Sequence, residues 1–215
     1  CYAPELLHRL PAPGTVPPAQ SNGFVTFGSF NNFAKVSDET LLLWRAVLEQ
    51  VPRARLVIKG KIASIPDGRN RVLERFRDFG IDGSRLELRP YSPDYLEQYR
   101  DIDIALDTAP YTGGLTTCEA LVMGVPVVSL RGTTHGSRFG ASILENAGVS
   151  ELVAESEMEY VNKAVQIART PSILAQFHAG LREALLHSRL MDSAGYMREI
   201  EQLYRQLWQM YCRQR

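Results

Sequence analysis

Cysteine is scarce in this chain. Cys1, Cys118 and Cys212 are too few and too scattered for a disulfide framework or a zinc site, and they fit a reducing, cytoplasmic setting. An excess of either charge is also missing: 24 basic residues face 24 acidic ones, a formal net charge of +0. No global field then draws the chain to nucleic acid or an anionic membrane, and any anion has to be held by a local site. No stretch approaches the roughly 18 apolar residues that cross a bilayer. The opening Cys1-Tyr2-Ala3-Pro4 lacks a charged region, an apolar region and an initiator Met, which suggests a piece of a longer protein. Neither a Gly-x-Gly-x-x-Gly fingerprint nor a P-loop is present, and this argues against a dinucleotide oxidoreductase or an NTPase.

What is present is enough for a substantial core: 215 residues, 45% of them hydrophobic. Residues 1–22, with Pro11, Pro13, Pro17 and Pro18, read as a linker or docking arm that sustains neither a helix nor a central strand. From Phe24 a regular alternation begins. Phe24–Phe27 reads as a strand ended by Gly28-Ser29, and a helix capped by Ser37 or Asp38 runs to Pro52. Leu56–Ile58 is the next strand, Arg71–Phe76 lies in a helix closing at Gly80, and Leu86–Leu88 is a third strand. A short helix over 93–99, strands over 102–106 and 125–130, and a helix over 116–123 follow. Such alternation specifies right-handed crossovers and a doubly wound, Rossmann-like parallel sheet of α/β class. Past Gly148 only Glu151–Val153 resembles a strand, and helices are expected over 157–168, 172–187 and 194–212. The domains are therefore read as the arm (1–22), a Rossmann-like domain (23–190) and a closing carboxyl-terminal helix (191–215), the last with Ile200, Leu203, Tyr204, Leu207, Trp208 and Tyr211 on one face.

Ligands of open parallel sheets bind at the carboxyl ends of strands near the topological switch point. The richest loop there is 107–117, which joins the fourth strand to the helix carrying Glu119. Gly113 and Gly114 let a ligand approach the backbone, Thr116 and Thr117 offer hydroxyls, and the helix start favours negative charge. Glu119, expected in the first helical turn, could reach ribose hydroxyls. A helix cap beside a tight turn is the competing reading. The second candidate is Asn31-Asn32-Phe33-Ala34-Lys35, after the first strand. Lysine is rare, with Lys35, Lys59, Lys61 and Lys163 set against twenty arginines, and a lysine in that loop suits a compact charge on a phosphate, or else it is simply solvated.

Other groups have plainer readings. Asp101-Ile102-Asp103 matches an Asp-x-Asp metal pattern but opens a buried strand, so a structural role is expected and no metal. His135 could line a cleft, while His8, His178 and His187 read as surface or packing residues. Cys118 has no nearby histidine and reads as a small core residue.

Several runs, taken together, resemble a known family: Phe27–Val36, Asp103–Thr108, Gly113–Leu121, Met123–Val128 and Ser137–Ser142. They are similar, in order and over about residues 20–212, to the carboxyl-terminal catalytic half of O-linked N-acetylglucosamine transferases and their SPINDLY-like relatives. The resemblance implies the donor-binding half of a GT-B fold, whose amino-terminal half and tetratricopeptide repeats lie upstream. It implies inverting, metal-free transfer of N-acetylglucosamine from UDP-GlcNAc to Ser or Thr of a protein acceptor, with no cofactor and with neither nucleic acid nor membrane as partner. Lys35 would neutralise the diphosphate leaving group, with Asn32 near the phosphates. Gly113, Gly114, Leu115, Thr116 and Thr117 would cradle the diphosphate, Glu119 would hold the ribose, and Pro90, Tyr91 and Ser92 would meet the base. Tyr95 stands where the family usually has a histidine beside the nucleotide, and Gly114-Leu115 replaces a His-Thr or Gly-Thr pair. These departures keep open a catalytically silent nucleotide-sugar-binding module, and UDP-glucose or GDP-fucose as donor.

Overall fold

The computed structural model describes residues 10–214. Its centre is a six-stranded parallel sheet in the order β3-β2-β1-β4-β5-β6, formed by β1 (Thr26–Ser29), β2 (Arg55–Lys59), β3 (Leu86–Arg89), β4 (Ile104–Leu106), β5 (Val127–Leu130) and β6 (Val153–Ala154). In register, β1 sets Phe27 beside Leu56 on one flank and Ile104 on the other. The order reverses between β1 and β4, and this is the switch point of a doubly wound sheet.

Six further helices wrap the sheet: α2 (Asp38–Gln50), α3 (Pro66–Asp78), α4 (Leu115–Val122), α5 (Phe139–Asn146), α6 (Glu157–Arg169) and α7 (Pro171–Leu186), preceded by the single turn α1 (Ala19–Asn22) and followed by α8 (Ser193–Arg213). Local chemistry sets their ends. The Ser37 hydroxyl accepts from the Thr40 N–H at 3.1 Å, while Asp38 and Glu39 sit in the positive first turn of α2. Pro66 opens α3, and Gly80 reverses the chain after it at φ +76°. The stripe Leu41, Trp44, Val47 and Leu48 of α2 is fully or almost fully buried, against the sheet and α6. At about 25 cal/mol per Å² of apolar surface, each such side chain contributes roughly 1.5–3 kcal/mol.

The alternation of strands and helices matches the sequence reading, with four local corrections. β1 begins at Thr26 and contains Gly28 and Ser29, because Gly28 is a close-packing position: a Cβ there would lie 2.8 Å from the Ile102 side chain. The expected helix over 93–99 is a 3-10 segment, Tyr95–Asp101. The segment Glu151–Val153 is mostly a 3-10 turn, Ser150–Leu152, leaving Val153–Ala154 as the strand. The arm does hold one helical turn, α1, closed by Gly23 at φ +73°.

The described part of the arm is tied to the back of the sheet by side chains reaching its main chain. Arg182 donates to the Pro11 carbonyl at 2.7 Å, and Arg100 donates twice to the Ala12 carbonyl, at 2.9 and 3.1 Å. His178 Nδ1 lies 3.4 Å from the Gly14 carbonyl, and the Ala19 N–H donates to Asp103 Oδ1 at 2.9 Å. At the other terminus, α8 has no buried residue. Tyr196, Leu203, Tyr204, Leu207, Trp208 and Tyr211 are all exposed along it, so the apolar stripe read from the sequence faces outward from the described body. No helix among the described residues is long and apolar enough to cross a membrane.

Candidate functional site

The loops that follow β1 and β4 flank the switch point, and a cavity of about 350 Å³ opens beside them at the carboxyl ends of the strands. Asn32 and Phe33 border it from the first loop, Leu115, Thr116 and Glu119 from α4, Lys59, Gly60 and Lys61 from the end of β2, and Tyr91 and Tyr95 from the segment after β3. The structure thus brings together Asn32, Tyr91, Tyr95, Leu115, Thr116 and Glu119 of the residues singled out from the sequence.

The loop from β4 to α4 is organised by Asp107, which is 2% exposed. Its Oδ1 accepts from the Asn31 side chain at 2.9 Å, from the Thr108 N–H at 2.9 Å and from the Gly113 N–H at 2.6 Å, while Oδ2 accepts from Ser129 Oγ at 2.6 Å. Burial pushes this carboxyl up, and the four donors pull it back. Gly113 therefore faces inward, where a Cβ would meet Thr117 Oγ1 at 2.5 Å, whereas the Cβ position of Gly114 is open space. Gly114 caps α4 with no side-chain acceptor, so the first-turn N–H groups are left to a ligand or solvent. Thr117 is buried, while Thr116 at the cavity wall donates to Asn31 Oδ1 at 2.5 Å.

Lys35 closes a 3-10 turn, Phe33–Lys35, whose start is capped by the Asn32 side chain accepting from the Ala34 N–H. Its ammonium donates to the Thr112 carbonyl at 3.0 Å and lies 4.2 Å from the centroid of the Tyr111 ring. Burial lowers its pKa and the nearby Asp107 raises it. Lys35 thus stands at the loop leading into α4, one step beyond the cavity lining.

Glu119 is 4% exposed and begins the second turn of α4, not the first as the sequence suggested, because α4 starts at Leu115. The Tyr95 hydroxyl donates to its carboxylate. Burial pushes Glu119 up, and that hydrogen bond opposes it.

Lys59 and Lys61 enter the site without having been assigned to it from the sequence. Lys59 ends β2 with its side chain buried, donating to the Pro90 carbonyl at 2.6 Å and to Ser92 Oγ at 3.0 Å. Burial, and then Arg89, lower its pKa, with Asp94 opposing. Lys61 lies 5.9 Å from the Tyr91 ring centroid. The usable signal was the scarcity of lysine: three of the four in the chain lie at the ends of β1 and β2.

The remaining candidates sit apart from the cavity. Asp103 is buried and accepts from the Ala19 and Thr26 N–H groups, and Asp101 pairs with Arg89 at 2.7 Å. Among the described residues no three His, Cys, Asp or Glu side chains converge as a metal site. His135 packs edge-on against Phe139 at 4.8 Å, and His178 is buried under the arm. Cys118 is a buried free thiol pushed up to about 11 by burial. Cys1 and His8 lie outside the described residues.

A parallel sheet in this order, with its cavity at the switch point, is the architecture of the donor-side half of GT-B glycosyltransferases. The comparisons with known proteins make the class specific. The profile of Glycosyl transferase family 41 matches residues 19–200, and the chain belongs to that family. It is 42% identical, over 99% of its length, to a probable UDP-N-acetylglucosamine–peptide N-acetylglucosaminyltransferase SPINDLY of Solanum lycopersicum, of which it spans 23%. Among solved structures, an O-GlcNAc transferase of Thermobaculum terrenum, in mutant form, superposes with a TM-score of 0.81 at 38% identity, covering 89% of this chain and 37% of that one. Anabaena HepE in complex with UDP and glucose shares the fold at a TM-score of 0.62 and 16% identity, covering 95% of this chain and 55% of that one.

Proposed function

We propose that the chain is the donor-binding half of a protein O-glycosyltransferase that moves N-acetylglucosamine, with inversion and without a metal, from UDP-GlcNAc to Ser or Thr. It would work with an amino-terminal half and upstream repeats in a cytoplasmic setting. The observation that carries this reading is the set of groups gathered around one cavity. The uncapped start of α4, the buried carboxylate of Glu119 one turn further and the aromatic rings of Tyr91 and Tyr95 border it, and Lys35 stands in the loop beside the α4 start. That set suits diphosphate, ribose and base. The sugar and the peptide acceptor are those of the SPINDLY relatives.

In this reading the α4 start and Asn32 bind the diphosphate, and Glu119 accepts from the ribose hydroxyls. Lys35 carries the chemical step. As the anomeric bond breaks, negative charge grows on the departing diphosphate, and a fixed ammonium beside it lowers the barrier without reorganisation. Its carbonyl contact to Thr112 uses one of three N–H donors and leaves the others for phosphate oxygens. The acceptor-binding surface and the general base would come from the amino-terminal half.

Calorimetry on this chain tests the reading. UDP should bind more tightly than AMP or NAD, and EDTA should leave its affinity unchanged. A loss of more than tenfold with EDTA, about 1.4 kcal/mol, would bring Asp101 and Asp103 back as metal ligands, and a chain that takes NAD but not UDP would refute the site. A silent binding module is the second reading, favoured by Leu115, whose side chain offers the cavity no hydroxyl. It predicts UDP binding with no transfer in the full-length protein.

A further inference from the structure

Lys59 is an ammonium 4% exposed at the wall of the ligand cavity, and among the described residues no carboxylate forms a salt bridge with it, Asp94 acting on it only without contact. Its neighbour across the β2–β3 register, Arg89, is the group that takes the local carboxylates, Glu87 at 2.6 Å and Asp101 at 2.7 Å. The two oxygens on Lys59, from Pro90 and Ser92, are neutral, so one of its three N–H donors and most of its charge remain unmatched. Buried charge without a partner is costly in a finished structure, and at a cavity wall the missing acceptor is naturally a ligand atom. Ser92 Oγ accepts from Lys59 and also from Gln98 Nε2 at 2.9 Å, which leaves its own proton to be donated. Two donors thus sit side by side with no acceptor offered between them.

Their place in the fold says which part of a ligand they meet. If the diphosphate lies at the start of α4, after β4, then β2 is two strands away, about 10 Å at the usual spacing. Glu119 and Tyr95 border the same cavity, and the exposed Tyr91 ring provides a flat surface on which a base can stack. We propose that Lys59, together with the Ser92 hydroxyl it holds, selects the base of the bound nucleotide by donating to an exocyclic carbonyl oxygen. Uracil carries this oxygen on C4 and guanine on C6, where cytosine and adenine carry a donating amino group; the O2 that cytosine shares with uracil lies on the other side of the ring. An amino group facing two donors leaves all three unsatisfied. The inference rests on the nucleotide-sugar reading above and adds to it the residue that discriminates.

The experiment is calorimetry of this chain with UDP, GDP, CDP and ADP. The better of UDP and GDP should bind at least about tenfold more tightly than CDP or ADP, as expected for one charge-assisted hydrogen bond. Lys59→Met, with folding checked by circular dichroism, should bring all four within roughly threefold of one another, chiefly by weakening the keto nucleotides. Lys59→Arg, still a cation that only donates, should keep the preference, and Ser92→Ala, at a half-buried loop position, should reduce it severalfold. A uniform loss across the four nucleotides in Lys59→Met, an unchanged ratio in Lys59→Met or Ser92→Ala, or a native preference for CDP or ADP would overturn the proposal while leaving the cavity a nucleotide site. Should Lys59→Met not fold, the Lys59→Arg and Ser92→Ala ratios decide. Failure of all four nucleotides to bind the native chain would overturn the site reading and this inference with it.

Discussion

The Gly113 N–H and Asp107 Oδ1 are 2.6 Å apart, and this bond turns Gly113 inward while the Cβ position of Gly114 next to it stays open. Asp107→Ala would leave Asn31, Thr108, Gly113 and Ser129 without their common acceptor. Each lost hydrogen bond to a charged group is worth about 1.5–3 kcal/mol, so a loss of at least about 3 kcal/mol is expected in urea denaturation, with weakened UDP binding in calorimetry. A variant with the native midpoint and native affinity would remove Asp107 as the organiser of the loop.

Lys35→Ala, made in the full-length protein, should lower turnover on the order of a hundredfold to a thousandfold and weaken donor binding much less. The reason is that its charge matches a leaving group more negative in the transition state than in the bound donor. Steady-state kinetics separate this from a solvated surface lysine, for which neither quantity would change.

Glu119→Ala should raise the Michaelis constant for the donor by roughly tenfold with a smaller effect on turnover, since the ribose does not change charge in the reaction. Tyr95→Phe removes the hydroxyl that holds the Glu119 carboxylate and should move the same constant in the same direction by less. Equal falls in turnover from both substitutions would contradict a ribose-holding role.

Asp103 gives a pH signature of its own. Burial raises its pKa from 3.8 to about 6, against the pull of the Thr26 and Ala19 N–H groups. The folded state then holds this proton more tightly than the unfolded chain does. Its contribution to stability is greatest below pH 4 and is lost as pH rises through about 6. His178, kept neutral by burial with its pKa lowered, acts in the opposite sense: it costs stability as pH falls below about 6.5. The melting-temperature difference between wild type and Asp103→Asn, measured from pH 4 to 7, cancels the histidine. It should change in favour of Asp103→Asn as pH rises from 4 to 6, and a difference constant over that range would exclude Asp103 as the titrating group.

Much of this architecture was legible because its signals are periodic. The apolar stripe Leu41, Trp44, Val47, Leu48 and the stop at Pro52 mark α2 whatever surrounds it, and compact runs such as Leu56-Val57-Ile58 mark buried strands. Gly28 misled because a glycine usually interrupts a strand, and only the tertiary approach of Ile102 shows why it belongs inside one. Cavity-lining residues were legible where they fall in a local cluster, as with Asn32 or with Leu115, Thr116 and Glu119. Lys59 was not, since its significance depends on carboxylates it lacks, and the capture of those by Arg89 across the sheet is a property of strand register that no local pattern records.

The fastening of residues 10–19 has a consequence for how this region can drift in evolution. At Pro11, Ala12 and Gly14 the body grips carbonyl oxygens, and at Ala19 an N–H, so at none of these points does it read a side chain of the arm. Leu10 and Ala19 pack against the core and Pro17 is buried, but the exposed arm residues Ala12, Thr15 and Val16 can be exchanged with little penalty, as long as the length and course of the arm persist. Arg100, Asp103, His178 and Arg182 have no such freedom. Divergent descendants of this chain should vary at those exposed arm positions while the four residues that hold the arm stay fixed, an inversion of the usual expectation that a surface segment and its contacts change together.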